Sequence, residues 1–125
     1  MSRKTVKTVT DYFQDLSHNN YSDALRELGQ IEEYMAESEW HKGYFNALEG
    51  MLIALRSDTR YAYIKRIGEK DQQSINKLRR SFAQQAEDSL QTDFDRGFFS
   101  AWSDYLRAAS QTLSNDASAA PPKQA

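Results

Sequence analysis

The decapeptide Glu39–Leu48, EWHKGYFNAL, returns 54 residues later as Asp93–Trp102, DFDRGFFSAW. An acid, an aromatic, a base, a glycine, two more aromatics, a small polar residue, an alanine and a large apolar residue recur in one order. The correspondence extends outward, with Ser38 opposite Thr92, Met51 opposite Tyr105 and Leu52 opposite Leu106. A hydroxyl N-cap followed by an acid is a helix start, because the hydroxyl accepts from a free backbone N–H and the acid sits at the positive end of the helix dipole. Behind each cap runs one apolar stripe: Trp40, Tyr44, Ala47, Leu48, Met51, Leu52 and Leu55, then Phe94, Phe98, Ala101, Trp102, Tyr105, Leu106 and Ala109 at the same offsets. That spacing covers one face of an α-helix. Upstream, Ala24, Leu28 and Ala36 fall opposite Leu78, Phe82 and Leu90. Each copy therefore reads as a helix, a tight turn and a second helix.

Two such hairpins pack naturally about a pseudo-twofold axis, and two copies are too few for a solenoid. The fold expected is an all-α bundle of about five helices, built from two duplicated helical hairpins plus a short N-terminal helix. Val6, Val9, Phe13 and Leu16 place that first helix over residues 5–17, ended by the turn-formers Ser17-His18-Asn19-Asn20. Ser22 is a candidate cap for a second helix whose stripe is Leu25, Leu28, Ile31 and Met35. Ile75, Leu78, Phe82, Ala86 and Leu90 mark a helix over 71–90. Between the copies, Asp58 to Gly68 can form a short helix closed by its glycine. The chain divides into a single helical domain over 1–113 and a tail over 114–125 that lacks large apolar side chains, contains Pro121-Pro122 and is expected to be disordered.

Gly43 and Gly97 sit inside the strongest helices, where glycine costs about 1 kcal/mol relative to alanine. With Ala47 and Ala101 one turn on, each forms a small-residue ridge, so the two repeated helices are expected to cross at Gly43 and Gly97. The aromatics around them, Trp40, Tyr44, Phe45, Phe98, Phe99 and Trp102, either fill that crossing or line a partner-binding groove. Phe45, Phe99 and Ile53 lie off the main stripes and are the candidates for a dimer or partner surface. The segments WHKGYFNALEGM at Trp40–Met51 and RGFFSAWSDYL at Arg96–Leu106 resemble a family of small archaeal helical proteins of unknown function. The resemblance spans about residues 38–110, implies a soluble cytosolic protein and supplies no catalytic residue.

Composition removes much catalytic chemistry. There is no cysteine, hence no disulfide, thiolate ligand or cysteine nucleophile. The five glycines are scattered rather than gathered into a phosphate loop, and no nucleophile elbow or Glu-x-x-His motif occurs. Glu33, Glu37 and His41 repeat at four-residue spacing, but Ser38 starts a new helix between them and no second histidine is near. No catalytic residue, metal or cofactor is expected. The longest apolar run, Met51–Leu55, is far short of the roughly 20 residues of a membrane span, so the chain reads as cytoplasmic with no membrane partner.

Charge is distributed more tellingly than its net value of -2. Residues 11–55 carry nine acids and two bases, whereas 56–80 carry eight bases and three acids. An acidic and a basic face of this kind suit a protein partner or a homodimer. The alternative is RNA or other nucleic acid, bound by Arg56, Arg60, Lys65, Arg66, Lys77, Arg79 and Arg80 on phosphates, with Tyr61 and Tyr63 stacking on bases. An acidic isoelectric point of about 5.7 and the lack of a recognisable binding module weigh against it. The expected function is non-enzymatic, through protein–protein contact or self-association.

Overall fold

The computed structural model describes residues 2–57, Ile64, Ile67 and 70–119, with side chains as far as Gln111. Among the described residues five helices follow one another: α1 (Arg3–Ser17), α2 (Tyr21–Tyr34), α3 (Glu39–Arg56), α4 (Gln72–Glu87) and α5 (Asp93–Ala119). The protein is an all-helical bundle with no strand among the described residues. No described helix is long and apolar enough to cross a membrane.

Local chemistry explains most helix starts. Ser2, Ser38, Asp71 and Thr92 each accept from the backbone N–H three residues on, in Thr5, His41, Ser74 and Asp95. Each satisfies one of the donors that a helix leaves free at its first turn. Helix α2 is the exception. It begins after Asn20, which makes no side-chain cap, rather than after Ser22. The chain enters it through Asn19 at φ 62, a left-handed conformation that asparagine tolerates better than most residues. At the far end, α5 continues to Ala119, so 114–119 are helical backbone where a disordered tail is expected. Residues 120–125, and the short helix read over 58–68 apart from Ile64 and Ile67, lie outside the described residues. Those two isoleucines are helical and buried.

Packing centres on α5, which runs along both α3 and α4. Helix α1 pairs chiefly with α2, and this pair meets the rest through lighter α2–α3 and α1–α5 contacts. The second helical pair is therefore intimate, while α2 rests on α1 more than on its own hairpin mate. Tyr12, Leu16, Ile31, Tyr44, Leu48, Met51, Ile67, Ile75 and Leu106 are the large side chains at the centre of one shared core. Three large residues of the expected stripes are exposed: Val6, Leu25 and Leu90 at 47%, 52% and 93%. Tyr12 and Ala24 occupy the core faces of α1 and α2 instead, and α4 stops at Glu87, before Leu90 is reached.

At the α3–α5 contact the two interior glycines are reciprocal. A Cβ built on Gly43 would overlap the Phe94 carbonyl, and one built on Gly97 would overlap the Trp40 carbonyl. Each glycine thus receives backbone from the residue three positions before its counterpart, and both carbonyls belong to rigid helix.

Candidate interaction surface

Where α2 ends and α3 begins, the chain leaves a cleft of about 510 Å³. Its apolar floor is Met35, Phe45 and Phe94, all half-buried. Phe94 comes from the first turn of α5, brought there by the glycine crossing. Its rim is acidic, with Glu32, Glu33, Glu37 and Glu49 against the single ammonium of Lys42. That ammonium is already turned toward Glu39, 3.2 Å away. A recess with aromatic side chains below and carboxylates above favours a cation carried on an apolar stem.

The six aromatics singled out by the repeat do not line one groove. Tyr44 is 1% exposed and its hydroxyl donates to Asp104 Oδ2 at 2.7 Å, so it is a core residue and not part of a surface. Burial first, then the adjacent Asp104 carboxylate, pushes the Tyr44 phenol far above its ordinary range. Trp40 stacks on Tyr44 with ring centroids 5.2 Å apart. Phe99 and Trp102 face α4, where Phe82 stacks against both at 6.0 Å, and Phe98 meets Phe99 edge-on. This aromatic series continues through Tyr105 to Phe13 of α1. Phe45 alone of the six reaches the acidic cleft.

The basic set is also divided. Arg56 is exposed at the end of α3, and Lys77 and Arg80 are exposed on α4. Arg79 is half-buried, with its carbonyl accepting from Ser103 Oγ at 3.5 Å. Arg60, Tyr61, Tyr63, Lys65 and Arg66 lie outside the described residues. His41 is held by its own cap, Nδ1 against Ser38 Oγ, with Trp40 edge-on at 5.0 Å. Among the described residues no group of three or more histidine, aspartate or glutamate side chains is placed to hold a metal ion.

The four rim carboxylates lie within the acidic stretch 11–55; what the sequence does not reveal is that Phe94 lines the same cleft. Counted as one member of a core stripe, Phe94 gave no sign that it closes a cleft against Phe45. The signal available was its register with Trp40, whose backbone makes the mirror-image contact. Comparison with models of protein families, with curated proteins and with solved structures gives no match.

Proposed function

We propose that this chain is a non-enzymatic helical protein that acts through protein–protein contact, with the acidic cleft between α2 and α3 as its receiving surface. The observation that carries the reading is a single cleft lined by Phe45 and Phe94 together with four carboxylates, an apolar anchor point within a charged surround. Interface hot spots have this form, a pocket that takes a buried side chain within a polar surround. The internal repeat supplies the scaffold: its glycine crossing brings the start of α5 beside α3. Self-association is a possible use of the same surface, since Lys77 and Arg80 of another copy's α4 would meet the carboxylates. Such a contact can be reciprocal about a twofold axis, each copy's α4 meeting the other's cleft, which sedimentation would show as a dimer.

The test compares affinity capture by wild type and by Phe45→Ser from native lysate, reading proteins by mass spectrometry and RNA by sequencing. Loss of specific proteins from the Phe45→Ser sample, with thermal unfolding little changed, is the expected result. Identical captured proteins would overturn the reading. RNA that is retained by Phe45→Ser but lost from an Arg79/Arg80 double alanine would favour nucleic acid instead.

A further inference from the structure

The α2–α3 face carries two glycines for which the fold has no use. Gly29 lies inside α2 and Gly50 inside α3, both exposed, and a Cβ built on either meets nothing within 4 Å. Glycine is the poorest helix-interior residue after proline, so an interior glycine ordinarily has a packing reason. Gly43 and Gly97 have theirs in the α3–α5 crossing. Gly29 and Gly50 have none among the described residues.

Their neighbours indicate where such a reason lies. Leu25, one turn before Gly29, is 52% exposed, and Ile53, about one turn after Gly50, is 63% exposed. These two side chains line a second cleft of about 420 Å³ between α2 and α3, with Leu28 and Leu52 beneath and Arg56 at its end. Glu49 belongs to both clefts. Along α2, Gly29 falls between Leu28 of one cleft and Glu32 of the other, and along α3 Gly50 follows the shared Glu49. The two clefts thus meet at Glu49 as one groove, aliphatic at one end and acidic over phenylalanine at the other, with Gly29 and Gly50 adding no side chain beside that junction.

We infer that this groove receives a single amphipathic helix of a protein partner, cationic over the half that meets Glu32, Glu33, Glu37 and Glu49 and aliphatic over the half that meets Leu25 and Ile53. The inference rests on the protein-contact reading above and specifies the partner. With no side chain at Gly29 or Gly50, a helix can lie close along this junction with its apolar face toward the groove. From His41 to Ser57 the groove is roughly 24 Å long at 1.5 Å per residue, enough for about four helical turns. A second copy fits less well. The same face brought against itself sets carboxylates against carboxylates, and α4, though basic, exposes no large apolar side chain for the aliphatic end.

The probe is a fluorescein-labelled synthetic helix of about 18 residues, with leucines on one face and lysines over one half, followed by fluorescence anisotropy against the full chain. Its control replaces each lysine with glutamate. The lysine peptide is expected to bind and the glutamate peptide not to. In the double variant Gly29→Gln/Gly50→Gln, affinity should fall by about tenfold or more while the melting temperature holds or rises, because both positions are open and glutamine favours helix. Failure of the lysine peptide to bind, equal binding of the glutamate peptide, or undiminished binding to the glycine variant would each overturn the inference. Partner capture that depends on Phe45 alongside any of those results would leave the contact reading standing and remove only the helix. A dimer seen by sedimentation and dissolved by Gly29→Gln/Gly50→Gln would assign the groove to a second copy and overturn the inference as well.

Discussion

At the scale of single residues, the two similar segments Glu39–Leu48 and Asp93–Trp102, with the residues that follow them, differ in a compensated way. Tyr44 donates to Asp104 at 2.7 Å, whereas their counterparts 54 residues away are Phe98 and Gly50, with neither hydroxyl nor carboxylate. Donor and acceptor are present together or absent together. Tyr44→Phe should therefore cost about 2 kcal/mol by leaving a partly buried carboxylate short of its donor, and adding Asp104→Ala should cost less than the sum of the single changes. Urea unfolding of the four-member cycle measures the coupling. Glu27 is the opposite case, a carboxyl 8% exposed whose Oε1 has no hydrogen-bond partner. Burial pushes it up from 4.5 to about 7, helped by the neighbouring Asp15 and by the charge of Asp11, with Arg26 opposing. Because the folded value is the higher one, the native state holds this proton more tightly. The contribution of Glu27 to stability is thus complete below about pH 4.5 and is lost as pH rises through about 7. Glu27→Gln should flatten that part of the pH profile and raise stability at pH 8 by about 1 kcal/mol, read from thermal unfolding at pH 5 and pH 8.

At the scale of helices, the glycines separate into two classes with opposite expected behaviour. Gly43→Ala and Gly97→Ala drive a methyl group into helix backbone that has no rotamer by which to yield, so each should cost about 3 kcal/mol as α3 and α5 are forced apart. Gly29→Ala and Gly50→Ala add a methyl group to open space and should stabilise by about 0.5–1 kcal/mol each. Chemical denaturation of the four variants checks both signs. The same contrast shows what a sequence can convey. Caps and stripes are local, so the start of α3 at Ser38, the start of α5 at Thr92 and the all-helical class are legible in the chain. Which side of a short helix is covered is decided by its neighbours. Val6 and Leu25 carry the right spacing yet stay exposed, because the α1–α2 pairing turns Tyr12 and Ala24 inward instead. Phe99 and Trp102 likewise could not be told from groove residues until Phe82, on another helix, was found stacked against both. The acidic cleft is lined by both Phe45 of α3 and Phe94 of α5, which no single window of sequence contains.

At the scale of the whole molecule, the bundle consists of a closely packed α3–α4–α5 body and an α1–α2 pair joined to it more lightly. One buried polar contact fastens the two: the Tyr12 hydroxyl donates to the Leu48 carbonyl at 2.6 Å, from α1 into the centre of α3. Burial is the main influence holding this phenol well above its ordinary range, with Glu49 and Glu27 adding to it, so it remains a donor at any physiological pH. A weakly joined pair of helices opens without unfolding the rest, and amide exchange reports such openings separately from global unfolding. Amides of α1 and α2 should exchange faster than those of α3 and α5. Tyr12→Phe removes the fastening bond while preserving the ring, a loss of about 1 kcal/mol, and should speed α1–α2 exchange about fivefold with little change in α5. The consequence reaches the groove, since α2 forms one of its walls. If the α1–α2 pair moves as a unit, a helix bound between α2 and α3 should slow exchange in α1 as well, although α1 lines neither cleft. Hydrogen exchange of the wild type with and without the lysine peptide measures this; protection confined to α2 and α3 would show that the pair does not move together.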